Sequence, residues 1–226
     1  MRRALMALSV LAAAGCGLAE YEERMKSAQE RVKRREMEDK DLGPPIDVPQ
    51  KAEAKRPPVA LARLFLRLPR GLSSTPGKEP RVAKEVLYVY NPVKANPPGL
   101  FARAELAFGK ASDTDFESNV LASLPRDPKP DPTTIKIPIQ PPGRQGITIS
   151  RTTFDYQALS YSVNVWKGRE SNIAVIYVWN KGAQGVAAQI KLSLETFAGE
   201  EEAGQLMGEF ASGGPLNHVP RFAIRH

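Results

Sequence analysis

A chain of 226 residues with a formal net charge of +7 has room for one domain of ordinary size plus a tail. Its single cysteine excludes an internal disulfide and a cysteine-based zinc site, and no Lys/Arg cluster with interleaved aromatics marks a nucleic-acid surface. The two histidines, His218 and His226, lie in the last nine residues, a chain end of the kind that is usually poorly ordered, so no metal site and no cofactor is expected.

Arg2 and Arg3 open the chain. Ala4 to Ala14 then form an uncharged, mostly apolar stretch of about eleven residues, the length of a signal-peptide core. A membrane span takes about 20. The stretch closes on Ala13-Ala14-Gly15-Cys16. These residues resemble the lipobox of bacterial lipoproteins, with alanine at position 13 where that family most often has leucine. The resemblance spans the first sixteen residues. It implies removal of residues 1–15, a diacylglyceryl thioether on Cys16 and acylation of the new amino terminus. Two or three acyl chains, at about 0.8 kcal/mol per buried methylene, hold a protein stably on a bilayer without a transmembrane helix. Gly17, where an aspartate would favour inner-membrane retention, points to the outer membrane of a cell that has one. A plain secretory signal cleaved after Ala14 is the rival reading.

From residue 16 to 41 the lipidated start continues as a charged stalk. Beyond Gly17 it has neither glycine nor proline, and Glu20/Arg24, Glu22/Lys26, Glu30/Arg34 and Glu36/Lys40 stand four apart with the acid first. Such pairs contribute about 0.2–0.5 kcal/mol each to a helix. Tyr21, Met25, Ala28 and Val32 draw one thin apolar stripe along it, shorter than a dimeric coiled coil needs. Residues 42–58 carry prolines 44, 45, 49, 57 and 58 and read as an extended spacer.

Residues 59–211 then read as the folded domain, with 212–226 as a tail. Strands are predicted at Leu61–Leu68, Glu85–Tyr90, Ala102–Phe108, Ile135–Ile139 and Ile147–Phe154. Leu159, Tyr161, Val163 and Val165 alternate with Ser160, Ser162 and Asn164, as in a strand with one buried and one wet face. Ile173–Trp179 reads as a central strand. Ile190, Leu192 and Leu194 alternate with Gln189, Lys191 and Ser193, and the turns at Gly168 and Gly182 join these last three strands into a meander. Helices are predicted at Phe116–Leu124, with Thr114 and Glu117 at capping-box spacing and Pro125 as the stop, and at Glu200–Phe210. Strands that outnumber helices without regular alternation give an α+β fold, mainly antiparallel sheet with one or two flanking helices. The run Phe65-Leu66-Arg67-Leu68-Pro69-Arg70-Gly71, the final meander and the closing helix resemble the photosystem PsbP-type sandwich in their spacing.

No catalytic residue is identified. Ser73-Ser74-Thr75 reads as a turn, Asp113 and Asp115 as helix-start residues, and Gly143-Arg144-Gln145-Gly146 as a hairpin turn. Trp166, Tyr177 and Trp179, on adjacent strands with Tyr156 and Tyr161 nearby, are the candidate binding residues, Trp166 being the aromatic expected to be exposed. The sequence therefore predicts a non-catalytic envelope protein, held on the membrane through Cys16 and facing the periplasm. Its domain is expected to bind a protein partner or a cell-wall component. A hydrolase whose carboxylates converge only in the fold, and a tether that self-associates through its stalk, are the alternatives.

Overall fold

The computed structural model describes residues 2–46, 64–77, 86–93, 100–125, 133–137 and 147–211. It divides into two units, residues 1–40 and 41–226. The first is helix α1, Arg2–Asp41. Within it Arg24 pairs back to Glu20 at 2.5 Å, as the spacing predicts, while Arg34 donates forward to Glu38 at 2.9 Å and Arg35 approaches Asp39 at 4.0 Å. Tyr21, Met25 and Val32 are exposed, so the predicted stripe faces solvent. Among the described residues no helix is long and apolar enough to cross a membrane.

The domain starts earlier than its prolines suggest. Leu42–Pro45 forms strand β1, antiparallel to β3 (Arg67–Pro69), and Leu42 and Ile46 are fully buried. The spacer predicted from residue 42 thus begins as part of the core; residues 47–58 lie outside the described residues. Proline is compatible with such a two-stranded ribbon because an outer edge needs no amide donor. Strand β2, Leu64–Phe65, lies between them in sequence.

The main sheet has six antiparallel strands in the order β4-β5-β9-β8-β7-β6. These are β4 (Val86–Tyr90), β5 (Phe101–Lys110), β6 (Thr133–Ile137), β7 (Ile147–Tyr156), β8 (Leu159–Lys167) and β9 (Ser171–Asn180). Each confirms a predicted strand, and β6 pairs antiparallel with β7; the hairpin turn predicted at residues 143–146 lies outside the described residues. Cross-strand partners share a face. Tyr90, Ala104, Tyr177 and Ser162 therefore stand on one side, and Val89, Glu105, Ile176 and Val163 on the other.

A helix covers each face. On the Glu105 side lies α2, Phe116–Ser123, burying Phe116, Val120 and Leu121. Asp115 occupies its cap position, and the predicted Thr114/Glu117 box does not form: Glu117 instead accepts the Ser150 hydroxyl and approaches Lys167 at 3.7 Å. On the Tyr177 side lies α3, Val186–Glu195, where a third meander strand was expected. Val186, Ile190 and Leu194 recur every four residues and are buried, so the helical period wins over the coincident alternation of 190, 192 and 194. Gly185, at φ +79°, makes the turn into this helix. With both faces covered, β8 has no wet side: Ser160, Ser162 and Asn164 are buried. Asn164 meets this by donating to the Ser162 and Val175 carbonyls at 3.1 and 3.2 Å and accepting from Arg151 Nε at 2.8 Å.

A short strand β10, Ala198–Gly199, pairs with β2, and the predicted closing helix follows as α4, Glu200–Ala211. Ala203 and Leu206 pack with Phe65 and Ala198 in a small separate cluster. The fold is α+β, as the sequence predicts. Residues 212–226, with both histidines, lie outside the described residues.

Candidate functional site

The register sorts the predicted aromatics onto two faces. Trp166 lies opposite Ile173, and Trp179 opposite Ser160, so both share the face of Tyr177. That face is core. Tyr177 is fully buried, its ring tilted on Phe101 at 6.0 Å and its hydroxyl 2.7 Å from Ser193 Oγ. Burial pushes its phenol well above the ordinary tyrosine value, so it stays protonated. Trp166, expected to be exposed, is half-buried with its edge against Phe197 at 5.4 Å. The chain leaving α3 folds over it, and a Cβ at Gly168 or Gly199 would collide with the indole. Trp179 is half-buried against the same cluster. These three residues share one face and one apolar cluster as packing, with Trp166 and Trp179 toward opposite ends of β9. Cys16 lies within α1.

The other face carries a more reactive group of side chains. Arg103 and Glu105 stand two apart on β5, past a register shift between Phe101 and Arg103, and so point to the same side. Glu105 is flanked in register by Val89 and Ile176 and is 0% exposed. Arg103 Nε donates to Glu105 Oε1, while Oε2 has no partner. Burial pushes the Glu105 carboxyl above its ordinary value, against the pull of the Arg103 guanidinium. The Arg103 guanidinium also acts on the Tyr161 hydroxyl across β9, where Val178 lies opposite both Arg103 and Tyr161. The Tyr161 ring stacks on Phe154 at 4.9 Å with 1° between the planes. Phe154, Tyr156 and Leu159 remain half-buried around it. Burial raises the Tyr161 phenol, although the Arg103 charge opposes this.

A native buried carboxylate oxygen is rarely left unbonded, and each exception asks for an explanation. Here it sits beside a guanidinium, a phenol and an aromatic shelf, a set that can bind through charge, hydrogen bonds and ring faces. The sequence carried one signal for it: opposite charges two residues apart inside the predicted strand Ala102–Phe108, pointing to one face.

The remaining candidates take structural roles. Ser73 Oγ donates to the Thr75 carbonyl at 2.9 Å and accepts the Thr75 amide at 3.1 Å, closing the predicted turn. Asp113 accepts the Asp115 amide at 3.1 Å ahead of α2. Asp155 bonds Ser160 at 2.6 Å and Lys181 at 3.0 Å on the Tyr177 side of the sheet, so it does not converge with Glu105.

No family model matches the chain, and no curated protein is similar enough to count as a relative. Among solved structures the chain is similar to one from Bacteroides thetaiotaomicron VPI-5482, with 10% identity and a TM-score of 0.38 over 65% of this chain. The match spans about half, 47%, of that chain.

Proposed function

We propose that this protein is an envelope lipoprotein of the outer membrane, anchored through Cys16, whose domain binds a protein partner or a cell-wall component without catalysing a reaction. The address rests on the basic leader and the run Ala13-Ala14-Gly15-Cys16. The binding reading rests on one observation, the unpartnered oxygen of Glu105 beside Arg103 and the Phe154–Tyr161 stack. Aromatic and arginine side chains are enriched at the centres of binding surfaces. Replacing Cys16 by alanine moves the protein from the membrane pellet to the soluble fraction. Retention in the pellet after a high-salt wash refutes the anchor.

A second reading, self-association through the stalk, is favoured by the exposed row Tyr21, Met25 and Val32. Sedimentation of the Cys16→Ala protein with and without residues 17–40 tests it. Equal association states dismiss it.

A further inference from the structure

We propose that Arg103 and Glu105 form a proton-gated anion site: protonation of Glu105 leaves the Arg103 guanidinium without a counter-charge beside the Phe154–Tyr161 shelf, where it takes an oxyanionic group of the bound partner. This rests on the binding reading above and adds its ligand chemistry and its control. The Glu105 side chain is 0% exposed and that of Arg103 is 20% exposed, so the acid is sealed while its cation is reachable. The proton comes from water and goes to Oε2, the oxygen to which nothing donates. Desolvation already works against the charged carboxylate there, so neutralisation is the direction the surroundings favour.

Among the described residues no other group nearby replaces the lost charge. On the same strand the only charged neighbour is Arg103 itself; from β8 comes Tyr161, and from β7 comes Tyr156, beside Tyr161. The register neighbours of Glu105 on β4 and β9 are Val89 and Ile176. Helix α2, packed on the same face, contributes Phe116, Val120 and Leu121, and its Glu117 is held by Ser150 and Lys167. Among the described residues, then, a neutral Glu105 still accepts from Arg103 Nε through Oε1, which holds the guanidinium in place, but no longer supplies its counter-charge. A positioned guanidinium next to the half-buried Phe154 ring and the buried Tyr161 ring suits a carboxylate, phosphate or sulfate group. Without Arg2 and Arg3 the chain keeps a formal net charge of +5, which adds general attraction for such groups.

Sulfate keeps its charge between mild acid and neutrality and is therefore the probe. The full-length protein in detergent is titrated with sodium sulfate at constant ionic strength, reading the Arg103 Nε–H resonance, identified by its loss in Arg103→Lys. Wild-type protein binds sulfate roughly fivefold more tightly at about pH 5 than at about pH 7.5, the upper range for gain or loss of one partly exposed ion-pair partner. Glu105→Gln binds with the tighter value at both. Equal wild-type affinity at the two pH values overturns the proposal, and this holds even if Glu105→Gln fails to fold. So does a sulfate response in other arginine resonances with none at Arg103. Neither result touches the anchor, which the Cys16→Ala fractionation reads separately.

Discussion

Three elements of the domain meet at one hydroxyl, and its loss has a calculable cost. Ser193 Oγ on α3 donates to the Arg67 carbonyl of β3 at 2.5 Å and lies 2.7 Å from the Tyr177 hydroxyl of β9. Serine has one proton, already given to Arg67, so Tyr177 is the donor to Ser193. All three groups are buried. Tyr177→Phe removes one hydrogen bond and strands no donor, since Ser193 still reaches Arg67; the expected loss is about 0.5–1.5 kcal/mol. Ser193→Ala removes both bonds and leaves a buried O–H and a buried carbonyl without these partners. At about 1–3 kcal/mol for the stranded Tyr177 hydroxyl and about 0.5–1.5 kcal/mol for the bond lost at the carbonyl, the loss is about 1.5–4.5 kcal/mol, of which the better helix propensity of alanine returns about 0.5 kcal/mol. The double variant is no less stable than Ser193→Ala, because the phenylalanine removes the stranded hydroxyl. Urea unfolding of the Cys16→Ala protein, followed by tryptophan fluorescence, gives the three values. Additive losses, or a Tyr177→Phe loss equal to that of Ser193→Ala, refute the hydrogen-bond assignment.

Glu105→Gln changes how stability depends on pH. Burial holds the folded carboxyl above its unfolded value, so the folded state binds the proton more tightly; the stability due to this group is complete at low pH and is lost as pH rises through that window. The variant lacks that loss, and its advantage over wild type grows with pH across the window and then levels. Parallel urea-stability curves contradict this. Gly199→Ala places a methyl group against the Trp166 indole and levers it off Phe197. A cost of about 1–3 kcal/mol and a shifted tryptophan emission are expected; unchanged emission contradicts the packing described.

Local pattern made much of the sheet legible. In β8 apolar side chains repeat every two residues and in β9 they run almost unbroken, and helices α2 and α4 begin at acidic stretches. Two errors have one physical source, that burial is decided by what arrives from elsewhere in the chain. Ile190, Leu192 and Leu194 satisfy a strand period and a helix period together over five residues, and only the Val186 contact chooses between them. The serines and the asparagine of β8 signal a wet face, yet that face is buried, and Asn164 is satisfied by hydrogen bonds from neighbouring strands. Leu42 and Ile46 were hidden by Pro44 and Pro45 between them. The candidate binding residues were chosen by aromatic type, whereas register places Tyr161 and Trp166 on opposite sides of the sheet; the Arg103–Glu105 pair was legible only as opposite charges two residues apart in a predicted strand.

The pairing of β1 with β3 has a mechanical consequence. Tension applied from the N-terminal side first loads the Arg70 amide on the Asp41 carbonyl at 2.7 Å, Arg67 Nε on the Gly43 carbonyl at 2.8 Å and the Ile46 amide on the Leu66 carbonyl at 2.9 Å. None of these bonds belongs to the six-stranded sheet. Stripping β1 costs the shielding of Leu42 and Ile46 but leaves that sheet's ladder closed. The domain thus has a yielding first fastening, a small ribbon that parts before the sheet does.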